Sequence, residues 1–187
     1  IGAMEATGVQ ASAVNIGLTR LSHPEFSERE KAIGEIRTAM TDAIDIGAGR
    51  VVFIPHYSTV PVLPDLRPYK SAIEIEAEML VAQLRATLSD LAYALGAELH
   101  MLVVSPGRAH LINTLHRAGV IREKIDNHPH ITIGLEVCDH FSEDEAPLEA
   151  LATYAEHIGY VHLADDHHRL PGHGNLAIKQ VVSTLKT

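Results

Sequence analysis

The segment YVHLADDHHRLPGHGN, residues 160–175, is the stretch from which the fold of this chain can be read. Its first five residues, 160–164, are mostly apolar and predict a short buried strand. Two aspartates, two histidines and an arginine occupy positions 165–169, and proline and glycine turn signals follow. In α/β enzymes, ionisable side chains of this kind follow a strand at the carboxyl edge of a parallel sheet. The segment therefore predicts the end of a βα unit and a functional edge.

Four more strand-and-helix pairs precede this segment. Strands are predicted at 8–17, 50–56, 98–104 and 130–137. Helices are predicted from apolar residues spaced three or four apart and from two S-x-x-E capping patterns, at 27–47, 71–95, 109–124, 147–157 and 176–185. Strands that alternate with helices form parallel sheets. The prediction is an α/β fold in one domain, residues 1–187, either (β/α)8 TIM-barrel-like with about five βα units or an open doubly wound sheet.

Composition and charge argue against several classes of function. The chain has 15 basic and 24 acidic residues, a net charge of −9, and no cluster of lysine and arginine. Binding to nucleic acid needs concentrated positive charge, so no nucleic acid partner is expected. The sequence has no apolar run of 18 residues and no signal-peptide pattern, so neither a membrane nor secretion is indicated. A single cysteine, Cys138, excludes an internal disulfide and fits a cytoplasmic protein.

The ends of the predicted strands collect the candidate functional residues. They are His56, Ser105, residues 136–140 and residues 162–169. Because the carboxyl ends of parallel strands meet at one edge, these side chains are expected to lie near one another. Simpler interpretations compete with this one. Asp165 and Asp166 are often found ordering a turn through backbone hydrogen bonds, and Cys138 is expected to be a buried, inert thiol.

In their order and spacing, these motifs resemble the sugar (phosphate) isomerase/epimerase superfamily, the xylose isomerase-like barrels that include hydroxypyruvate isomerase and the ketose 3-epimerases. The run HLADDHHRLPGHG, residues 162–174, is similar to that family's H-x-x-x-(D/E)-x-x-R-x-x-P-G-x-G stretch. The segment ITIGLEVCDH, residues 131–140, resembles its V-G-L-x-L-D-x-x-H strand end. Residues 8–17 and 50–56 resemble the third and fourth strands. The resemblance covers nearly the whole chain and implies an incomplete TIM barrel.

The resemblance also implies a metal site. It makes His162 a metal ligand and places Glu136 where the family has a ligand aspartate, so that Glu136 is the candidate catalytic and metal-binding carboxylate. The candidate substrate contacts are His56, Asp139, His140, His168 and Arg169. A divalent ion (Mn²⁺, Mg²⁺, Co²⁺ or Zn²⁺) would polarise a ketose, and a carboxylate would remove a proton to give an enediolate. From residue type alone, a helix cap for Glu136 and a packed strand histidine for His162 are the alternatives.

The chain departs from the family pattern in ways that keep other functions open. Its third strand ends in Val104-Ser105-Pro106, where the family has a glutamate that is both ligand and base. Counterparts of the first two βα units and of the last strand are not found, and exposed strand edges favour a homo-oligomer. A sugar isomerase or epimerase for a small carbohydrate is therefore weighed against a related dehydratase or lyase and against a non-catalytic binding or assembly module. The acidic balance disfavours a DNA-repair endonuclease, and the lack of a glycine-rich phosphate loop disfavours a nucleotide-binding protein.

Overall fold

The centre of the molecule is a five-stranded parallel sheet, seen in a computed structural model that describes residues 2–143 and 146–186. The strands are β1 (Val14–Leu18), β2 (Arg50–Ile54), β3 (Glu98–Val103), β4 (Ile131–Glu136) and β5 (Ile158–His162). They lie side by side in sequence order, and each neighbouring pair is parallel. A doubly wound sheet reverses its strand order at a switch point. The described strands show no such reversal, so the sheet is an arc of the (β/α)8 type.

Helices alternate with these strands as predicted. They are α1 (Gly2–Thr7), α2 (Phe26–Asp45), α3 (Ala72–Gln83), α4 (Ser89–Leu95), α5 (Leu115–Lys124), α6 (Val137–Glu143), α7 (Pro147–Tyr154) and α8 (Ile178–Thr184). The helix α6, directly after β4, is not among the predicted ones. A π-helical turn, Leu84–Leu88, interrupts the predicted continuous helix between α3 and α4, where the Ser89 hydroxyl donates to the Leu84 carbonyl at 2.8 Å. In the part of the chain that the structure describes, each helix is too short or too polar to cross a bilayer.

The structure corrects two predicted helix starts. α2 begins at Phe26, so Ser27 lies inside the helix. The N-cap is Glu25, which makes no side-chain capping bond within the described residues, while its backbone N–H donates to Nδ1 of His23 at 3.1 Å. α5 begins at Leu115 rather than near residue 109, because Thr114 caps the helix. Residues 104–114 consequently form a loop at the carboxyl edge of the sheet.

The strand predictions also need correction at both edges of the sheet. β1 begins at Val14 rather than at residue 8. β5 spans Ile158–His162 instead of 160–164, and its side chains are only partly buried. The reason is that β5 lies at the edge of the described sheet and is flanked by a neighbouring strand on one side only. The interior strands β2, β3 and β4 are covered on both faces, as the apolar run in β2 indicates for that strand.

The two faces of the sheet pack against different partners. On the outer face, Val51 and Phe53 of β2 join the main core with the buried stripe of α2, formed by Ala32, Ile36, Ala39, Met40 and Ala43. On the inner face, alternate residues form a second cluster: Val52, Ile54, Leu102, Val104 and Ala109. Side chains of a strand alternate between faces, so these two clusters account for the continuous apolar runs.

A hydrogen bond across the inner face shows that the sheet is curved. The hydroxyls of Ser12, just before β1, and Tyr160, on β5, lie 3.2 Å apart. In a flat sheet the first and fifth strands would be roughly 19 Å apart, four spacings of about 4.8 Å, which a tyrosine side chain cannot span. The sheet therefore bends toward its inner face, as the wall of a barrel does. The side chains on that face are directed toward a common interior.

Candidate functional site

Glu136 and His162 form the centre of the candidate site. They are register partners at the ends of β4 and β5, and Nδ1 of His162 lies 3.1 Å from Oε2 of Glu136. Tyr160 packs against the inner-face cluster, and residues two apart on a strand share a face. His162, and with it Glu136, therefore faces the inside of the curved sheet. The Glu136 side chain is 9% exposed and that of His162 is 29% exposed, so the pair is accessible from the carboxyl edge.

Asp139 links three of the predicted strand ends. α6 begins directly after β4, which places Asp139 on the first turn of a helix rather than on the strand. Its Oδ2 atom accepts a hydrogen bond from the backbone N–H of Ser105 at 2.9 Å and lies 3.4 Å from Nη1 of Arg108. Its Oδ1 atom lies 3.9 Å from Nε2 of His168. Asp139 and His168 were both predicted as substrate contacts, and the structure brings them together.

His140 and Arg169 make polar contacts that lead away from this group. His140 is buried, and its Nε2 atom lies 2.9 Å from the carbonyl oxygen of Pro147. Arg169 is largely exposed, and its guanidinium lies 3.6 Å from Oδ1 of Asp166. Their predicted contacts with a substrate stay predictions.

The loop after β5 is held together by two aspartates. Asp165 is fully buried, and its carboxylate accepts backbone N–H groups from Leu176 at 2.9 Å, Gly172 at 2.8 Å and Asp166 at 2.9 Å. These hydrogen bonds, that of Leu176 first, lower the pKa of Asp165 to about 2. Asp166 accepts from the backbone N–H and the side-chain amide of Asn175 at 3.1 and 2.7 Å. Both aspartates therefore order the turn, as the simpler interpretation expected.

A second group of ionisable side chains lies beneath the loop that follows β2. His56, Glu76 and His110 are all buried, and one ligand atom from each lies within 4.8 Å of the others. Nε2 of His110 is 2.5 Å and Nε2 of His56 is 3.9 Å from Oε2 of Glu76. Burial, aided by the nearby His110, lowers the pKa of His56 to about 4. The predicted contact of His56 with a substrate stays a prediction.

Glu76 and His110 are not among the residues predicted from the sequence. A signal for Glu76 was present, because it falls on the buried stripe of α3 between Ala72 and Leu80, where a charged residue needs a partner. His110 gave no comparable signal. It lies in the loop 104–114, part of which was predicted to be helical.

The donor types at the Glu136 and His162 pair fit a divalent metal ion as part of a ligand set. A carboxylate oxygen and an imidazole nitrogen suit Mn²⁺, Co²⁺ and Zn²⁺, and converging partners at 3.1 Å are close to the separation of neighbouring ligands. Two protein ligands leave coordination positions for water or for the oxygens of a substrate. Among the described residues, the group with three converging ligand residues is the cluster of His56, Glu76 and His110.

The sequential parallel sheet, with its polar groups gathered at the carboxyl edge, defines a protein of the (β/α)8-barrel class. More particularly, the chain belongs to the xylose isomerase-like TIM barrel family, whose model matches residues 2–187. The family resemblance that was read from the sequence is thereby confirmed. No curated protein sequence matches the chain.

Solved structures with the same fold include three sugar epimerases. The 3-keto-D-glucoside 4-epimerase YcjR from E. coli is 21% identical with a TM-score of 0.83, over 99% of this chain and 70% of that one. An L-ribulose 3-epimerase is 20% identical, with a TM-score of 0.83 over 99% of this chain and 60% of that one. The D-psicose 3-epimerase from Clostridium cellulolyticum H10 is 17% identical, with a TM-score of 0.83 over 99% and 63%. At this identity the likeness shows the fold, and the chain spans 60 to 70% of their length.

Proposed function

We propose that the protein is a metal-dependent isomerase or epimerase that acts on a small hydroxylated aldose or ketose. The observation that carries the proposal is the pairing of Glu136 and His162 at 3.1 Å on the inner face of the carboxyl edge. Removal of a proton from the carbon next to a carbonyl needs a base, which the carboxylate supplies, and a metal ion that polarises the carbonyl, for which the histidine is a ligand. The fold supports the same conclusion, because the similar solved structures are named as epimerases of sugars.

The residues take the following roles. Glu136 and His162 would hold a divalent ion, which when bound supplies Lewis-acid polarisation of the sugar carbonyl. The Glu136 carboxylate takes the proton from the carbon between the carbonyl and the neighbouring hydroxyl. A proton delivered from solvent to the opposite face of the same carbon gives an epimer. A proton delivered to the former carbonyl carbon, with the hydroxyl proton moving from one oxygen to the other, gives an isomer. In both cases no atom is gained or lost overall.

Asp139 and His168 would orient the sugar. The carboxylate of Asp139 is fixed by the backbone N–H of Ser105 and faces the more exposed His168 at 3.9 Å. An anchored acceptor beside a solvent-facing imidazole can bind two neighbouring sugar hydroxyls, one as an acceptor and one through a ring nitrogen. Such contacts would hold the reacting carbon at the Glu136 carboxylate.

A non-catalytic carbohydrate-binding module is the second candidate, and one observation favours it. At the end of β3, where the family has a glutamate, the chain has Ser105, and the Ser105 backbone N–H is used to hold Asp139. This strand end therefore contributes no carboxylate to the proton transfer. The binding residues would remain, while the chemistry would depend on Glu136 alone.

Exchange of carbon-bound hydrogen with D₂O separates the two candidates. The protein is incubated with a panel of aldoses and ketoses in D₂O with Mn²⁺, Co²⁺, Mg²⁺ or Zn²⁺, and deuterium in the sugar is measured by mass spectrometry. We expect incorporation next to the carbonyl and a loss of about 10²-fold or more in Glu136→Gln. Glu98→Gln, at the opposite end of β3, is the control and should retain the activity. Binding of a sugar without any exchange would refute the isomerase and favour the binding module.

A further inference from the structure

We propose that His56, Glu76 and His110 form a second, structural site for a zinc-type divalent cation, distinct from the pair of Glu136 and His162. The three residues come from different parts of the chain: the loop just after β2, the second turn of α3 and the loop after β3. Two imidazoles and one carboxylate are a common ligand set for zinc, and they leave a fourth position for water. Four observations carry the proposal.

The first observation is how the two histidines are held. Nδ1 of His110 lies 2.9 Å from the carbonyl oxygen of Ser58, and Nδ1 of His56 lies 2.5 Å from the hydroxyl of Ser22. Each imidazole is thus fixed through one ring nitrogen, and the other nitrogen is directed at Glu76. Histidines that bind metals are oriented in this way, by a hydrogen bond from the ring nitrogen that does not face the ion.

The second observation is the arrangement of the carboxylate. Oε1 of Glu76 accepts the backbone N–H groups of Val62 and Leu63 at 2.6 and 3.1 Å. Its other oxygen, Oε2, faces the two imidazoles. As with the histidines, one atom is anchored by the protein and the other is offered to the centre of the cluster. All three side chains therefore contribute a single inward-facing ligand atom.

The third observation is an unpartnered nitrogen. Nε2 of His56 is buried and has no hydrogen-bond partner among the described residues; it lies 3.9 Å from Oε2 of Glu76, which is too far for a hydrogen bond. The His56 side chain is 0% exposed. Buried polar atoms are nearly always satisfied. A cation between this nitrogen and the Glu76 carboxylate would satisfy both.

The fourth observation is the orientation of the His110 ring. A carbonyl oxygen only accepts hydrogen bonds, so Nδ1 of His110 carries the proton that faces Ser58. Nε2 of the neutral ring then carries a lone pair and no proton, and it faces Oε2 of Glu76 at 2.5 Å. Two acceptors at this distance need a proton or a cation between them. In a tetrahedral zinc site neighbouring ligand atoms are roughly 3.4 Å apart. Binding of zinc would therefore lengthen the distance between Glu76 and His110 and shorten the distance between Glu76 and His56.

The site would fix the loop that follows β2. The ligands and their anchors join this loop, through Ser58, Val62 and Leu63, to α3 and to the loop after β3. Both loops follow strands at the carboxyl edge, where the candidate catalytic pair lies. The ligands are buried, so we expect the ion to be taken up during folding and to exchange slowly with solvent.

The test compares zinc content and zinc-dependent stability in Glu76→Gln, His110→Gln and wild type. Each protein is unfolded with chelator, refolded with zinc, dialysed, and analysed for metal and for its thermal midpoint. A glutamine side chain keeps an oxygen for the N–H groups of Val62 and Leu63, so Glu76→Gln removes the charged ligand with little other change. We expect each variant to bind one zinc per chain fewer than wild type. We also expect that zinc raises the thermal midpoint of wild type but not that of the variants. Glu98→Gln is the control and should match wild type.

Wild-type zinc content and an unchanged zinc-dependent midpoint in both variants would overturn the proposal and indicate a shared proton between Glu76 and His110. If neither variant folds, wild-type protein loaded with Co²⁺ still decides the question. A visible absorption band of nitrogen-coordinated Co²⁺ that persists in His162→Ala supports the buried site, and its loss in that variant refutes it. Wild-type protein that binds a metal ion at the buried site but none at Glu136 and His162 would contradict the proposed function alone, so the two proposals fail separately.

Discussion

Oε2 of Glu136 and Nδ1 of His162 lie 3.1 Å apart although 26 residues separate them in the sequence. Parallel pairing of β4 with β5 brings them together, because the two residues are register partners at the last position of each strand. A shift of one residue in this register would turn one side chain to the outer face. The geometry of the pair is therefore set by the sheet rather than by a flexible loop.

This arrangement predicts that His162→Ala weakens binding of Mn²⁺ at the carboxyl edge. Removal of one of two protein ligands should lower the affinity by about tenfold or more, since the remaining carboxylate alone holds the ion. Equilibrium dialysis with Mn²⁺ measures the affinity. His116→Ala, an exposed histidine on α5, is the control and should bind as wild type does. Equal affinity in wild type and His162→Ala would exclude His162 as a ligand.

The low pKa of Asp165 predicts that the protein loses stability in a defined range of acidic pH. Its pKa is about 2 in the folded protein and near 3.8 without these interactions, so the unfolded chain binds the proton more readily. The stabilisation is complete above a pH of about 4 and is lost as the pH falls through about 2. Asp165→Asn removes this contribution, so its free energy of unfolding, measured with urea, should change less across that range than that of wild type. Parallel curves for the two proteins would contradict the prediction.

We predict that His100 also causes a loss of stability in acid, and that this loss begins at a higher pH than the loss caused by Asp165. Its imidazole is buried on the inner face beside Thr132, and burial lowers its pKa from 6.5 to about 4. The unfolded chain therefore binds a proton that the folded protein excludes, and stability falls as the pH drops from 6.5 to about 4. One pKa unit corresponds to about 1.4 kcal/mol, so the loss is on the order of 3 kcal/mol. His100→Gln should show a flatter profile in urea unfolding, and an equally steep one would exclude His100 as the cause.

The parts of the site that were predictable from sequence are those that depend on strand ends. Glu136 and His162 end two apolar segments of a βα repeat, and parallel pairing then leaves little freedom in where they lie. The contacts of Asp139 with Ser105 and His168 were not predictable in this way. They depend on the start of α6 directly after β4 and on the conformation of the loop after β5, in which His168 has a positive φ of 55°.

The cluster of His56, Glu76 and His110 could not be predicted from the sequence for a different reason. His110 reaches Glu76 only because α5 begins at Leu115 and leaves residues 104–114 as a loop. A helix and a loop at these positions have similar apolar spacing, and the choice between them is made by the Thr114 cap and by tertiary contacts. Long-range side-chain contacts between two loops and a helix carry no local periodicity.

The loop after β5 requires a residue without a side chain at position 174, which is Gly174. A Cβ atom at this position would collide with the carboxylate oxygens of Asp165 and Asp166. Neither carboxylate can move freely, because both accept backbone N–H groups. Gly174→Ala should therefore destabilise the protein by about 1–3 kcal/mol. Gly34→Ala, in α2 with open space at the Cβ position, should instead stabilise it by up to about 1 kcal/mol. Thermal unfolding measures both, and equal effects would refute the clash.

The two S-x-x-E patterns give the sharpest test of how tertiary structure overrides a local signal. The Ser71 hydroxyl accepts the backbone N–H of Glu74, and the Glu74 carboxylate accepts that of Ser71 at 2.8 Å, which completes a capping box at the start of α3. Ser27 has the same pattern, but it lies inside α2, whose N-cap is Glu25. The sequence alone does not distinguish these two serines.

Ser71→Ala should therefore lower the free energy of unfolding by about 1 kcal/mol, because it leaves an N–H group at the start of α3 without its acceptor. Ser27→Ala should change it by roughly a few tenths of a kcal/mol at most, since alanine is a better helix former and no capping bond is lost. Urea unfolding of the two variants at neutral pH measures the difference. An equal loss in both would mean that Ser27 also caps its helix in solution, and α2 would then begin after Ser27, as its sequence pattern indicates.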